Sequence, residues 1–209
     1  MISVVGNSGV GKTTLAARLA ERLDLPLAPE LHVERPFHRR CTQDPHRYAF
    51  ANQVDYLLFR AEQEADLRDR FGHGVLDGGL DLDYFGFTHL FHQKGYLSDT
   101  EFDICRRLYL SLRHAQPPPR AFVVLTAPLP VIRERFSRRA RTAEVAQADD
   151  LPALQSLLDI WLGQLQPAQV MAIDAAEEDP TCSHLLDGLV RSLRSLPMLE
   201  SPATGGRHA

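Results

Sequence analysis

Few features of this 209-residue sequence suggest a disulfide framework, a membrane span or a surface for nucleic acids. Its three cysteines, Cys41, Cys105 and Cys182, share no close spacing, which argues against a metal-ligand motif and favours a reducing cytoplasm. No apolar run approaches the roughly 20 residues of a membrane span, and the first residues are typical of a strand rather than a signal peptide. The net charge of −4 provides no basic surface for nucleic acid. We therefore expect a cytoplasmic protein without a membrane or nucleic-acid partner.

The chain does contain a regular alternation of short apolar strands and helices. The predicted strands are 2–6, 25–30, 74–79, 121–126 and 170–175. The predicted helices are 11–23, 45–71, 82–94, 98–115, 128–141, 150–166 and a last one ending near Leu196. This order is typical of an α/β fold in which helices cover both faces of a parallel sheet. With 44% hydrophobic residues, positions 1–196 suffice for a single domain, and 197–209 are predicted to be a disordered tail.

The segment "GNSGVGKTT", residues 6–14, follows the first strand and opens the first helix. Its glycines let backbone N–H groups turn towards an anion, and the helix N-terminus adds partial positive charge. Lys12 can reach the β- and γ-phosphates of a nucleoside triphosphate, and the hydroxyl of Thr13 can bind Mg²⁺. This context predicts the three-layer α/β/α fold of the P-loop NTPases, with a five-stranded parallel sheet. The loop residues predicted to bind ATP are Gly6, Asn7, Ser8, Gly9, Val10, Gly11, Lys12, Thr13 and Thr14.

Two acidic residues follow strands where an acceptor of the phosphate would bind, because ligands of parallel sheets lie beyond the carboxyl ends of the strands. Glu30 ends the second strand, and its carboxylate could accept a hydroxyl proton. A solvated strand-end glutamate is the alternative. Asp77 closes the third strand, a position suited to Mg²⁺ or its water shell. A turn aspartate before two glycines is the alternative there.

Two further groups of polar residues lie on predicted helices. Gln53 and Arg60 are seven positions apart, so they share one flank about 10 Å apart along the helix axis. They suit either the edge of a planar polar ligand or an ordinary solvated flank. The segment "RERFSRRAR" (133–141) suits a lid over a transferred phosphoryl group, or a solvated basic helix face. The predicted apolar stripe of the long helix is Phe50, Val54, Leu57, Leu58, Ala61 and Ala65.

Together these residues resemble the deoxynucleoside kinase family over roughly residues 2–165. The segment "APELHVERPF" supplies the family's strand-end glutamate as Glu30, and "FANQVDYLLFR" supplies Gln53 and Arg60, where the family binds the nucleobase. The segment "LDGGLDLDYFGF" corresponds to the family's acid-Arg-Ser stretch, with Asp77 as the acid and Asp83 near the base. The segment "RERFSRRARTAE" matches the lid, about 133–144, with these residues in register: Arg135, Arg139, Arg141 and Glu144.

The resemblance implies a reaction in which ATP, with Mg²⁺, donates its γ-phosphoryl group to the 5′-hydroxyl of a deoxynucleoside. Glu30 would be the general base, and Glu144 would contact the sugar 3′-hydroxyl. The implied roles are catalysis for Lys12, Glu30, Asp77 and Arg135, metal binding for Thr13 and Asp77, ATP binding for Arg139 and Arg141, and nucleoside binding for Glu30, Gln53, Arg60, Asp83 and Glu144.

The resemblance also implies a homodimer, because "KGYLSDTEFDI" is similar to the family's segment between two helices of the dimer face. Such a dimer needs an exposed apolar face near 82–115. The residues that could contribute to it are Leu90, Phe91, Leu108 and Leu112.

The sequence departs from the family pattern at 77–79, which is Asp-Gly-Gly where the family has acid-Arg-Ser. In the family, the missing arginine helps to hold the acceptor hydroxyl and the carboxylate of the general base. Loss of such a contact costs roughly 2.7–4 kcal/mol of transition-state stabilisation. Three explanations stay open. The acceptor could be another nucleoside-like small molecule, the chain could be a non-catalytic ATP-binding protein, or another arginine could compensate, namely Arg35, Arg39 or Arg40.

Overall fold

Five parallel strands form one sheet, as the sequence predicts, and their order in the sheet is β2-β3-β1-β4-β5. The computed structural model describes residues 1–29, 35–139, 146–177 and 183–195. The strands are β1 (Ile2–Gly6), β2 (Leu27–Ala28), β3 (Val75–Asp77), β4 (Ala121–Thr126) and β5 (Val170–Asp174). All of β1 is buried, and it lies between β3 and β4. The crevice beyond its carboxyl end is therefore the switch point at which α/β sheets bind ligands.

Helices cover both faces of the sheet, which confirms the α/β/α arrangement. They are α1 (Lys12–Leu23), α2 (His38–Gln43), α3 (Pro45–Phe71), α4 (Leu80–Leu82), α5 (His89–Gln93), α6 (Asp99–Ala115), α7 (Leu129–Arg139), α8 (Leu151–Leu162) and α9 (Ser183–Arg194), with a π-helical segment (Asp83–Thr88) between α4 and α5 and 3₁₀ turns at Ala148–Asp150 and Pro167–Gln169. Among the described residues, no helix combines the length and the hydrophobicity that a bilayer crossing requires.

The two faces of the sheet divide the core because successive strand side chains point in opposite directions. In β4, Val123 packs into the cluster formed with α1, α7 and α9, whereas Phe122 and Val124 pack against α8 and the start of the π-helical segment. Gly86 allows this second contact, since a Cβ there would lie 3.1 Å from a methyl group of Leu154 on α8. The core therefore fixes the π-helical segment to the sheet next to the carboxyl end of β3.

The ends of the two longest helices follow from local sequence signals. The side chain of Asp44 accepts a hydrogen bond from the backbone N–H of Arg47, and Pro45 occupies the first turn of α3. At the other end, Gly72 adopts a φ of 75° and closes the helix. Ser98 forms the predicted capping box at the start of α6. The caps at Asp44 and Gly72 set the length of α3, the helix that carries Gln53 and Arg60.

Several local predictions are wrong. The second strand spans only Leu27–Ala28, helix α2 was not expected, and the predicted helix 82–94 is interrupted by the π-helical segment. Leu58 was placed in the core but is 39% exposed, whereas Leu57 and Ala61 of the same predicted stripe are buried. Leu90 and Phe91 are buried, so they cannot form an exposed dimer face. The predicted tail 197–209 lies outside the described residues.

Candidate active site

The loop between β1 and α1 has the backbone conformation of an anion-binding loop. Gly6, Gly9 and Gly11 have φ values of 147°, 86° and 110°, a region that residues with a Cβ rarely adopt. A Cβ at Gly6 would lie 2.5 Å from the carbonyl oxygen of Leu125 on β4. A Cβ at Gly9 would lie 3.1 Å from backbone atoms of α7. Glycine is therefore required at these two positions by both conformation and space.

Side chains hold this loop against its surroundings. The ammonium of Lys12 donates to the carbonyl of Asn7 at 3.0 Å, so the lysine folds back across the loop. The amide of Asn7 donates to the carbonyl of Leu151 at 2.8 Å and to Gln155 at 3.2 Å, both on α8. Its oxygen accepts from the N–H of Ser8 at 2.8 Å. A nucleotide phosphate would thus meet a loop that is already ordered, next to the helix N-terminus that favours its charge.

Asp77 has the environment of a residue that holds a cation. It pairs with Val4 in the sheet and is 2% exposed. Within the described part of the chain, neither carboxylate oxygen has a hydrogen-bond partner. A buried carboxylate without a partner is costly unless a ligand compensates it. A carboxylate beside the phosphate loop suits Mg²⁺, which prefers hard oxygen ligands and substrate phosphates. The residues present therefore fit a nucleotide-bound Mg²⁺.

The predicted base-binding residues lie together and are buried. Gln53, Arg60 and Asp83 are 2%, 6% and 7% exposed. The guanidinium of Arg60 donates through Nε to the carboxylate of Asp83 at 2.6 Å. The amide of Gln53 donates to Oγ1 of Thr88 at 3.0 Å, and that hydroxyl donates to the carbonyl of Asp83 at 3.1 Å. The solvated-flank interpretation is therefore wrong, because the π-helical segment covers this flank of α3.

The same arginine lies beside the glycine that replaces the family's motif arginine. Gly78 and Gly79 have φ values of 85° and 115°, which allow the chain to turn sharply after β3. The Nη2 atom of Arg60 lies 3.6 Å from the position of a Cβ on Gly78, and its Nη1 donates to the carbonyl of Asp77 at 3.4 Å. A guanidinium is thus present at this turn, supplied by α3 rather than by the motif itself.

The arginines that the sequence suggested as substitutes lie elsewhere. Arg35 donates to the carboxylate of Asp55 at 2.7 Å through Nε and at 2.5 Å through Nη2, and its guanidinium lies 4.4 Å from the ring centre of Phe59. Arg39 and Arg40 are exposed. Among the described arginines, Arg60 is the one that contacts the turn at Gly78, and the sequence assigned it only to the base.

Of the lid residues, the structure describes Arg135 and Arg139 at the end of α7. Arg135 donates to the carbonyls of Ala175 and Ala176 at 2.6 and 3.2 Å, so it joins α7 to the loop after β5. The remaining lid residues, Arg141 and Glu144, lie outside the described residues, as does Glu30 at the end of the predicted second strand.

Two residues near the site were missed by sequence reasoning. Thr88 bonds both Gln53 and the carbonyl of Asp83, and the i,i+5 spacing of a π-helix brings it there. Gln63 accepts from Nη1 of Arg60 at 3.2 Å and donates to the carbonyl of Pro29 at 3.1 Å. Gln63 does follow Gln53 and Arg60 on the same flank of α3, and this spacing was the signal that could have identified it.

A buried ionic network supports the turn after β3 from behind. Asp81 on α4 accepts hydrogen bonds from Arg113 at 2.7 and 3.0 Å and from the hydroxyl of Tyr109 at 2.8 Å. Arg113 also donates to the fully buried Glu64 at 2.9 Å. Burial, together with the charge of Asp81, holds the pKa of Tyr109 far above its usual range, so its hydroxyl stays a donor. The network ties α3, α4 and α6 together around the site.

Comparisons with known proteins agree with this geometry. The sequence model of the deoxynucleoside kinase family matches residues 2–186. The chain is 25% identical over 186 residues to a deoxyguanosine kinase of Bacillus subtilis (strain 168), covering 85% of this chain and 87% of that protein. It is 26% identical over 210 residues to a deoxyadenosine kinase of Dictyostelium discoideum, covering 98% and 84%.

Solved structures show the same fold. A deoxyadenosine kinase from M. mycoides with bound dCTP superimposes with a TM-score of 0.77 at 17% identity, covering 93% of this chain and 99% of that chain. The same kinase with bound dATP gives a TM-score of 0.76 at 18% identity over the same shares. Since the family match spans most of the sequence, this protein belongs to the deoxynucleoside kinase family.

Proposed function

We propose that this protein transfers the γ-phosphoryl group of ATP to the 5′-hydroxyl of a deoxynucleoside. The observation that carries the proposal is the buried group of Gln53, Arg60 and Asp83, placed directly beside Asp77 in a chain with a complete phosphate loop. A donor site and an acceptor site thus adjoin at one edge of the sheet. Relatives that are similar over most of their length are named as deoxyguanosine and deoxyadenosine kinases.

The donor half would be formed by the phosphate loop and the carboxyl end of β3. Backbone N–H groups from Gly6 to Thr13 would hold the phosphates, and the ammonium of Lys12 would leave the carbonyl of Asn7 for a phosphate oxygen. The hydroxyl of Thr13 and the carboxylate of Asp77 would hold Mg²⁺, which supplies charge neutralisation when bound. In-line transfer then depends mainly on positioning and on electrostatic stabilisation.

The acceptor half would read the nucleoside through paired donors and acceptors. The amide of Gln53 uses its N–H group on Thr88, and its oxygen makes no hydrogen bond to another described residue, so it can accept from a base. Arg60 is held by Asp83 in one orientation, which keeps the remaining guanidinium N–H groups directed rather than mobile. Glu30 would take the proton of the 5′-hydroxyl.

A second acceptor class, another nucleoside-like compound, is favoured by a single observation, the glycine at position 78. The guanidinium of Arg60 beside Gly78 supports the ordinary deoxynucleoside instead. One arginine would then bind the nucleoside at two points, its base through Asp83 and its 5′-hydroxyl beside the turn at Asp77, so that its contribution is to nucleoside binding.

We also propose that the protein is a cytoplasmic homodimer. Leu58 on α3 and Ile104 and Leu110 on α6 are exposed, although α3 and α6 pack against each other. Exposed apolar side chains on two adjacent helices suit a self-complementary face. Light scattering of Leu58→Asp should report a monomer if this face joins two copies, and an unchanged dimer would exclude Leu58 from the interface.

Two substitutions test the assignment of the two halves. Glu30→Gln should abolish phosphoryl transfer with ATP binding nearly unchanged, whereas Lys12→Ala should weaken ATP binding and turnover together. Glu21→Gln is the matched control, since Glu21 is exposed on α1 and its surface ion pair with Arg18 is worth little. Full turnover of Glu30→Gln would exclude that residue as the base, and unchanged ATP affinity of Lys12→Ala would refute the donor site.

A further inference from the structure

Gln63 forms hydrogen bonds to two parts of the molecule whose relative position matters for the proposed reaction. Its amide oxygen accepts from Nη1 of Arg60 at 3.2 Å, and its amide nitrogen donates to the carbonyl of Pro29 at 3.1 Å. Arg60 is the residue held by Asp83 and placed over Gly78. Pro29 directly precedes Glu30 in the chain. One side chain on α3 thus bridges the nucleoside side of the site and the segment that leads to the general base.

The bridge matters because β2 is a weak anchor. It comprises only Leu27–Ala28 at the edge of the sheet, where it pairs with β3 alone. A strand of two residues contributes few ladder hydrogen bonds of its own, because only Leu27 and Ala28 pair with β3. The bond from Gln63 adds a fixed point to the chain one residue before Glu30.

The bridge also depends on a property that only an amide provides. Glutamine can accept with its oxygen and donate with its nitrogen at the same time. Glutamate can only accept, lysine can only donate, and methionine does neither. Each substitution therefore removes a defined half of the bridge while keeping a side chain of similar length.

We propose that Gln63 is a positioning residue for phosphoryl transfer, which aligns the segment preceding Glu30 with the guanidinium of Arg60. The inference rests on the proposed function. Its bond to Pro29 serves the chemical step, and its bond to Arg60 serves nucleoside binding. The two bonds consequently affect different kinetic constants, kcat through Pro29 and KM for the nucleoside through Arg60.

Three variants at position 63 separate these effects. Gln63→Glu keeps an acceptor for Arg60 and loses the bond to Pro29, so kcat should fall while KM for the nucleoside stays near the wild-type value. Gln63→Lys keeps a donor for Pro29 and repels Arg60, so KM should rise while kcat is kept. Gln63→Met should show both effects. Each change should be about 2- to 12-fold, the range of one intramolecular hydrogen bond.

The assay is steady-state formation of the nucleoside monophosphate across a pH range, with each kcat taken from its pH plateau. The plateau matters because the new charge of Gln63→Glu can shift the titration of a nearby base, whereas uncharged Gln63→Met cannot. KM for ATP should stay constant in all three variants. Gln43→Glu, the same chemical change at an exposed position of α2, should leave every constant unchanged. Thermal unfolding of each variant checks that it is folded.

The proposal is supported if kcat falls in Gln63→Glu and Gln63→Met but not in Gln63→Lys. It also requires that KM for the nucleoside rises in Gln63→Lys and Gln63→Met but not in Gln63→Glu. Wild-type constants in all three variants, or one common loss in all three that tracks a lowered Tm, would overturn it and leave the kinase function standing. Wild-type protein that phosphorylates no nucleoside would instead refute the proposed function, and the role of Gln63 with it.

Discussion

Asp77→Asn should stabilise the nucleotide-free protein while abolishing its activity. Asp77 is 2% exposed, and within the described residues its two carboxylate oxygens lack any hydrogen-bond partner. A buried polar group in this condition costs about 1–3 kcal/mol, and a charged one costs more. The amide has the same shape but no charge to desolvate. We therefore expect the free energy of unfolding to rise by about 1–3 kcal/mol, because loss of the charge removes more desolvation cost than the amide retains.

The expected gain is large enough to measure by thermal unfolding. A domain of this size shifts its Tm by roughly 2–4 °C per kcal/mol, so the variant should unfold about 2–12 °C above the wild type. ATP with Mg²⁺ should then narrow the difference between the two proteins. A ligand at 100 times its Kd stabilises a protein by about 2.7 kcal/mol, and the variant should lose most of the Mg²⁺-dependent part of that gain.

Asp81→Asn is the matched control, because it makes the same change four residues further along. Asp81 is also buried, but it accepts three hydrogen bonds, from Arg113 and Tyr109. Removing its charge breaks a buried ion pair and should lower the stability. If Asp77→Asn is no more stable than the wild type, or keeps full Mg²⁺-dependent turnover, Asp77 is not a metal-binding residue kept unpaired for function.

Three other predictions concern the site and its supports. Arg60→Met and Asp83→Asn should each cost about 3–5 kcal/mol because each breaks a buried ion pair. The double variant should cost clearly less than their sum in urea unfolding, and additive costs would mean that the pair does not interact. Gly6→Ala should destabilise more than Gly72→Ala, because both glycines have positive φ but only a Cβ at Gly6 would overlap a carbonyl oxygen; equal Tm losses would refute the steric argument. Burial, with a smaller contribution from neighbouring His92, lowers the pKa of His89. The stability that His89 contributes is therefore complete above its unfolded pKa and is lost as pH falls through its folded pKa. His89→Phe should flatten the decline of Tm between pH 7 and 5, and an unchanged slope would show that His89 does not cause this decline.

The features that could be predicted from the sequence are local ones. The phosphate loop is defined by consecutive residues between a strand and a helix, and the structure confirms both neighbours. The capping box at Ser98 and the proline start of α3 are likewise decided within one helical turn. The five-stranded parallel sheet follows from the alternation of apolar strands and helices, and it is confirmed. The loop and the helix caps depend on neighbours in the sequence, and the sheet depends on the repeated alternation of strands and helices.

The features that could not be predicted depend on distant segments. Helical periodicity places Gln53 and Arg60 on one flank, but their burial follows from the π-helical segment that folds over α3. The sequence suggested arginines near the second strand as substitutes at Gly78, whereas the tertiary fold brings the guanidinium of Arg60 there. Leu58 was assigned to the core together with Leu57, because periodicity alone does not show where the buried face of α3 ends.

The most direct test of the kinase assignment is the identification of the phosphorylated product. Purified protein would be incubated with ATP labelled at its γ-phosphoryl group, with Mg²⁺, and with a panel of deoxynucleosides and ribonucleosides in turn. The proposed function predicts label on the 5′-oxygen of at least one deoxynucleoside, and its loss in Glu30→Gln. Bound ATP with no labelled nucleotide from any member of the panel, or label released only as inorganic phosphate, would contradict it.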